Sequence, residues 1–254
     1  MKTSYKEFDE MTGGLQKGDL IVLAARPSVG KTTFALNLVT NHCKNGGASL
    51  VFSLRRSTEN LLQRIISSEA EISSLKWKGK PLSGKDYERA YRAIGEISNW
   101  NLEISDETKL TIKDICSTIR KFVTENDNEN HLVLIDNLQF ITPVFRRRRD
   151  LEIAEMTKEL KFLAMELNIP IILVSQLTRD VETRRDKRPQ MFDLRDSGSI
   201  EQDADVVVFL HQEKFDIHST EEKSRIEVII GKQRNGPTGT LELEFHKEYG
   251  RFVG

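Results

Sequence analysis

Apolar residues recur along this chain in two rhythms. Short, nearly uncharged runs read as strands buried on both faces: Leu20–Ala25, Ser49–Leu54, Leu132–Asp136 with its terminal carboxylate, and Pro170–Ser175. Between them the spacing turns helical. Phe34, Ala35, Leu38 and Val39 share a face after Lys31, and Asn45-Gly46-Gly47 stops that helix. Leu61, Leu62, Ile65 and Ile66 follow Thr58, and further helices are expected through Tyr87–Ile97 and Leu151–Leu167. Ile112, Ile115, Ile119 and Phe122 form one apolar face behind Thr111, an N-cap residue. A short strand is expected at Leu102–Ser105, and the polar stretches 74–86, 125–130 and 178–204 read as loops. Residues 1–19 read as a lead-in ending in a glycine-rich turn. Three strands without intervening helices close the chain: Asp205–Leu210, Ile226–Ile230 and Thr240–Phe245. Alternating strands and helices followed by a run of strands predict an α/β fold. Its central sheet is mostly parallel, flanked by helices, with an antiparallel C-terminal extension. No internal repeat or linker divides the chain, so one domain is expected over residues 1–254.

Composition narrows this little. Of 254 residues, 38% are hydrophobic and 30% charged, with a net charge of −1. Any polyanion must therefore be met by a local patch rather than by bulk charge. Cys43 and Cys116 lie far apart, outside any C-x-x-C pattern, which argues against a disulfide framework or a cysteine metal site. No apolar run approaches the length of a membrane span, and the first residues lack the apolar centre of a signal peptide. A cytoplasmic protein without a membrane partner is expected.

The chemistry begins where the first strand ends. Ala25-Arg26-Pro27-Ser28-Val29-Gly30-Lys31-Thr32-Thr33 joins that strand to a helix, the arrangement that cradles phosphate. Successive backbone N–H groups must converge on one anion, and Gly30 permits the tight curl. Lys31 supplies a mobile charge for outer phosphates, and the Thr32 hydroxyl can ligate Mg²⁺. Ala25 stands where the G-x-x-x-x-G-K-[ST] pattern has its first Gly. ATP and Mg²⁺ are the expected ligands. Asp136 ends its strand on the ligand-bearing edge of a parallel sheet, where a carboxylate can hold Mg²⁺ through water. Gln176, ending the next strand, could orient water or contact a γ-phosphate, a role that spacing alone leaves open.

Basic stretches are less decisive. Arg195-Asp196-Ser197-Gly198-Ser199 lies in a loop that also holds Arg184, Arg185, Lys187 and Arg188, suited either to a phosphodiester backbone or to solvent. Arg146-Arg147-Arg148-Arg149 is a denser patch with the same two readings. Lys232 and Arg234 flank Gln233 before a Gly/Pro turn, and strand alternation puts both on one face. They could reach a neighbouring subunit's nucleotide or decorate a hairpin.

Taken with Asp136-Asn137-Leu138-Gln139, Ser175-Gln176-Leu177, the run Asp193–Asp205 and Lys232-Gln233-Arg234-Asn235-Gly236-Pro237, the phosphate loop resembles the C-terminal, RecA-like motor of DnaB-type hexameric replicative DNA helicases. The resemblance spans nearly the whole chain. It implies 5′–3′ translocation on single-stranded DNA, a homo-oligomeric ring with ATP between subunits, and helicase-loader and primase partners. It implies that Lys31 and Thr32 hold phosphates and Mg²⁺, that Asp136 holds Mg²⁺, and that Gln176 couples phosphate to the DNA loops. Arg195, Asp196 and Gly198 would contact DNA, with Arg146 and Arg147 as further candidates. Lys232 and Arg234 would act on the next subunit's γ-phosphate. The run around 193–205 argues against a recombination ATPase.

Two positions depart from the family. Where it reads F-S-L-E-M-S, this chain reads Phe52-Ser53-Leu54-Arg55-Arg56-Ser57, so Arg55 replaces the catalytic Glu that activates water. An arginine stays charged and accepts no proton. The nearest downstream acid, Glu59, is one helical turn away. A motor with impaired hydrolysis, or an ATP- and DNA-binding regulatory module, is therefore the alternative. Asn137 stands where the family has Tyr, a milder change. The family's N-terminal helical domain and linker helix are not found in residues 1–254, which leaves a hexamer of this chain alone less expected.

Overall fold

Uncharged strands stacked beside one another bury both of their faces, and here they do so at the centre of a single sheet. The computed structural model of the chain describes residues 1–79, 81–143, 148–194, 197–212 and 223–254. The strands are β1 (Leu20–Ala25), β2 (Ala48–Ser53), β3 (Asn101–Ser105), β4 (His131–Asp136), β5 (Ile171–Gln176), β6 (Val206–His211), β7 (Lys223–Gln233), β8 (Gly239–His246) and β9 (Arg251–Val253). Among the described residues they form one sheet in the order β3-β2-β4-β5-β1-β6-β7-β8-β9. The strands from β3 to β6 in that order are parallel, and β7, β8 and β9 continue the sheet antiparallel.

Strand alternation sends successive residues to opposite cores. Leu20, Val22 and Ala24 join the side covered by α5 (Ile112–Glu125), α6 (Arg149–Leu167) and α7 (Ser197–Asp203). Ile21, Leu23 and Ala25 join the side covered by α1 (Lys6–Thr12), α2 (Lys31–Lys44) and α3 (Thr58–Ala70). α4 (Gly84–Ile97) packs outside α3 through a small cluster of Ala70, Ile72, Ala90 and Ala93. As expected, Thr111 caps α5. Its hydroxyl accepts from the Asp114 N–H, and Asp114 accepts from Thr111 in return.

Four elements correct the sequence reading. α1 lies in the supposed lead-in and buries Phe8, with Gly13 in the left-handed conformation at its C-cap. α4 starts inside the supposed loop 74–86, because Ser83 and Asp86 form a capping box. α7 lies within the polar stretch 178–204, anchored by buried Ile200 and Ala204. β9 is too short for periodicity to register, yet Phe252 stacks on Phe245 with ring centroids 4.4 Å apart. β9 also backs the phosphate loop: a Cβ on Gly30 would lie 3.2 Å from Phe252 Cζ, and Gly30 has φ +105°. Both sterics and backbone conformation therefore select glycine there.

Candidate functional site

The carboxyl ends of the parallel strands set the site. Pairing aligns Ala25 with Gln176 across β1 and β5, and Ser53 with Asp136 across β2 and β4. The strand order places β1 beside β5 and β6, and the loop after β1 curls over this edge into α2. Ser28 sits in the left-handed region at φ 69°, and Gly30 caps the N-terminus of α2 from the same region. The α2 N-terminus therefore points unpaired N–H groups outward, a favourable place for an anion.

The cleft at this edge encloses about 1060 Å³ and is lined by Arg26, Pro27, Ser28, Gly30, Lys31, Thr32 and Thr33 from the loop. Asp136, Gln176 and Arg55 also line it. Ala25 closes β1 beneath the loop, and Val29 is buried against the core shared with Phe34. Lys31 Nζ donates to Ala25 O at 3.2 Å, folded back over its own strand. Burial pushes the Lys31 ammonium down to about 8; Asp136 opposes that shift, and the charges of Arg26, Arg55 and Arg56 add to it. A bound polyphosphate supplies the negative charge this group lacks. The Thr32 hydroxyl donates to Asp136 Oδ2 at 2.7 Å. A hydroxyl and a carboxylate brought together from a loop and a strand end suit a small hard cation that keeps most of its waters and phosphate ligands, as Mg²⁺ does.

Arg55 lies just beyond β2, exposed at the cleft wall, with its guanidinium carbon 5.6 Å from the centre of the Phe140 ring. Among the described residues lining the cleft, Asp136 is the one carboxylate. Glu59 is exposed on the first turn of α3 and is not among the lining residues. The cleft therefore offers cations and hydroxyls to a nucleotide but no second carboxylate to take a proton. Arg64, on α3, also lines it, and burial with the nearby Arg56 charge lowers its pKa. Sequence reasoning passes over Arg64, since one arginine on a helix's polar face carries no motif. Gln139 donates to Ser175 Oγ at 3.0 Å, tying the segment after β4 to β5.

Lys232 and Arg234 lie at the opposite edge of the sheet. Gln233 pairs with Val206, and Val206 with Ile21 near the start of β1. Ile21 is four residues before Ala25, or about 13 Å of strand. Lys232 Nζ donates to Glu201 O and Ala204 O, each at 2.5 Å, and Arg234 Nη2 donates to Gln202 O at 2.5 Å. Arg234 Nε also lies 3.5 Å from Asp205 Oδ1, within a network in which Lys161 Nζ donates to Asp205 Oδ2 at 2.6 Å. The two cations thus satisfy carbonyls at the C-terminus of α7.

The basic stretches divide. Arg184 pairs with buried Asp193 at 2.6 Å and lies over the Phe192 ring, while Arg188 pairs with Glu227 at 2.6 Å. These two support the loop instead of facing solvent alone. Arg148 pairs with Asp150 and Arg149 with Glu152, so half of the arginine run is engaged at the start of α6. Gly198 is exposed in α7. Arg146, Arg147, Arg195 and Asp196 lie outside the described residues.

Comparison with known proteins agrees across the whole chain. The family described as "DnaB-like helicase C terminal domain" matches residues 1–254. The chain is 43% identical over 254 residues to "Replicative DNA helicase DnaC" of Bacillus subtilis (strain 168), covering 99% of this chain and 56% of that protein. It thus spans little more than half of that relative's length. Among solved structures, an ATPase domain superposes with a TM-score of 0.94 at 38% identity, covering 99% of this chain and 90% of that one. "The Structure Of A DnaB-Like Replicative Helicase And Its Interactions With Primase" gives the same TM-score of 0.94 and identity of 38%, covering 99% of this chain and 61% of that one. Among the described residues no helix is long and apolar enough to cross a membrane.

Proposed function

The chain belongs to the family of DnaB-like helicase C-terminal domains, and from that premise we propose that it is the ATP-binding motor of a replicative DNA helicase. In this reading it works 5′–3′ on single-stranded DNA as one subunit of a homo-oligomeric ring. The ring is a hexamer when a linker helix is present, and it is served by a helicase loader and a primase in the cytoplasm. The observation that carries the reading is the cleft, where the phosphate loop, Thr32 bonded to Asp136, and Gln176 meet on one sheet edge.

The backbone of residues 25–33 cradles the inner phosphates, and Lys31 swings from Ala25 O to the outer ones. Thr32 and Asp136 would hold Mg²⁺, which when bound neutralises charge on the phosphates. Gln176, on the strand beside the loop, senses the terminal phosphate. Lys232 and Arg234 are too far along the sheet to serve their own nucleotide, which supports a role on a neighbour's. Gly198, with Arg195, Asp196, Arg146 and Arg147, contacts the DNA backbone. Arg55 removes the expected general base, a loss worth roughly 10²–10⁴-fold in rate, so this motor hydrolyses slowly on its own.

The test is the anisotropy of a labelled oligo-dT strand titrated with the chain, with and without ATP and Mg²⁺. DNA binding that rises with ATP and is lost in Lys31→Ala is expected. DNA binding indifferent to both ATP and Lys31 would reject the motor reading.

A further inference from the structure

Arg55 and Arg56 change more than one catalytic position. Lys31, Arg55, Arg56, Arg64 and Lys247 line the same cleft as the single carboxylate Asp136. A further cation there, Arg26, is held by Glu182, to which its Nε and Nη2 donate at 2.8 and 2.6 Å. Among the described residues neither Arg55 nor Arg56 forms an ion pair, and Arg56 Nη1 is buried without any hydrogen-bond partner. On the same wall, buried Ser67 Oγ also lacks a partner. Buried donors left unsatisfied beside like charges are costly, and a multiply charged anion relieves both penalties at once.

We propose that Arg55, Arg56 and Arg64 form an anion site, built into this subunit, for the terminal phosphate of a nucleoside triphosphate. The inference rests on the nucleotide reading of the cleft. The phosphate loop takes the inner phosphates. Arg55 and Arg56 follow β2, whose last residue, Ser53, pairs with Asp136. Their position beside Asp136 puts the arginines where a third phosphate, and not a second, arrives. Planar guanidinium groups suit that ligand because each can donate two parallel hydrogen bonds to one phosphate. The site thus supplies positive charge that a metal ion or a neighbouring subunit would otherwise bring. It makes the cleft a triphosphate reader that holds ATP firmly while cleaving it slowly.

Equilibrium binding of ATP and of ADP, by calorimetry, tests this in Mg²⁺ and in EDTA, for the unaltered chain, Arg56→Met, Arg64→Gln and Lys31→Ala. ATP is expected to bind roughly 10–100-fold more tightly than ADP, with most of that preference surviving EDTA. Arg56→Met and Arg64→Gln should each cut the preference by roughly tenfold while both variants retain a cooperative thermal transition. Inorganic phosphate should compete with ATP but not with ADP in the unaltered chain. A preference that vanishes in EDTA and ignores both arginine substitutions would overturn the site, leaving the metal as the reader of the terminal phosphate. Lys31→Ala separates the two claims. Loss of ADP binding there supports the phosphate loop beneath the site. ADP binding untouched by it would remove the nucleotide reading, and this site with it.

Discussion

At the carboxyl edge of the sheet, Lys31, Arg55, Arg56 and Arg64 crowd a cleft that answers them with one carboxylate. At the amino edge, Lys232 and Arg234 are engaged, donating to the Glu201, Gln202 and Ala204 carbonyls, with Arg234 also beside Asp205. Arg64 apart, both groups look alike in the sequence, as basic residues in or beside stretches that match the family's motifs. Their surroundings make them opposites. The cleft arginines are short of an anion, so binding one lowers the energy of the chain. The far-edge cations already donate to carbonyls at the end of α7, so an anion brought to them would share them with that helix.

Stability measurements can break this contrast directly. Lys232→Met keeps the aliphatic stem but strips two helix carbonyls of their donor, and should lower the unfolding free energy by about 2 kcal/mol. An unfolding midpoint unmoved by that change would mean the α7 contacts contribute nothing. Arg56→Met should act in the opposite sense and less strongly. Removing an unsatisfied donor from a crowded cationic wall should raise the stability of the nucleotide-free chain by about 1 kcal/mol. Urea denaturation of both variants reads the two signs side by side, and a destabilised Arg56→Met would mean that Arg56 has a structural partner after all.

The parts of this molecule that are legible in the sequence share a cause. β1, β4 and β5 are buried on both faces, so their apolar runs survive without interruption. The phosphate loop must have its glycine and lysine in fixed order, so Gly30 and Lys31 announce themselves. α7 is hidden because Ile200 is the one apolar residue within its span, with Ala204 just beyond, in a mostly polar stretch. β9 is hidden because it is only three residues long and is held by Phe252, which stacks on Phe245 of the neighbouring strand and meets Phe34, far away in the chain, edge-on. Arg64 enters the site through the fold alone. Arg184 and Arg188 show the reverse error of reading by composition: the partners that claim them, Asp193 and Glu227, come from other turns and strands. The substitution at Arg55 is legible because it breaks a motif otherwise present.

In the proposed reading the cleft takes ATP and, with Arg55 where a carboxylate would stand, cleaves it slowly. Steady-state ATP turnover on single-stranded DNA, compared between the unaltered chain and Arg55→Glu, tests it most directly. The account predicts turnover in the unaltered chain roughly 10²–10⁴-fold below that of Arg55→Glu. Equal rates in the two proteins, with the unaltered chain working at roughly 1–10³ s⁻¹ as ordinary enzymes do, would contradict it.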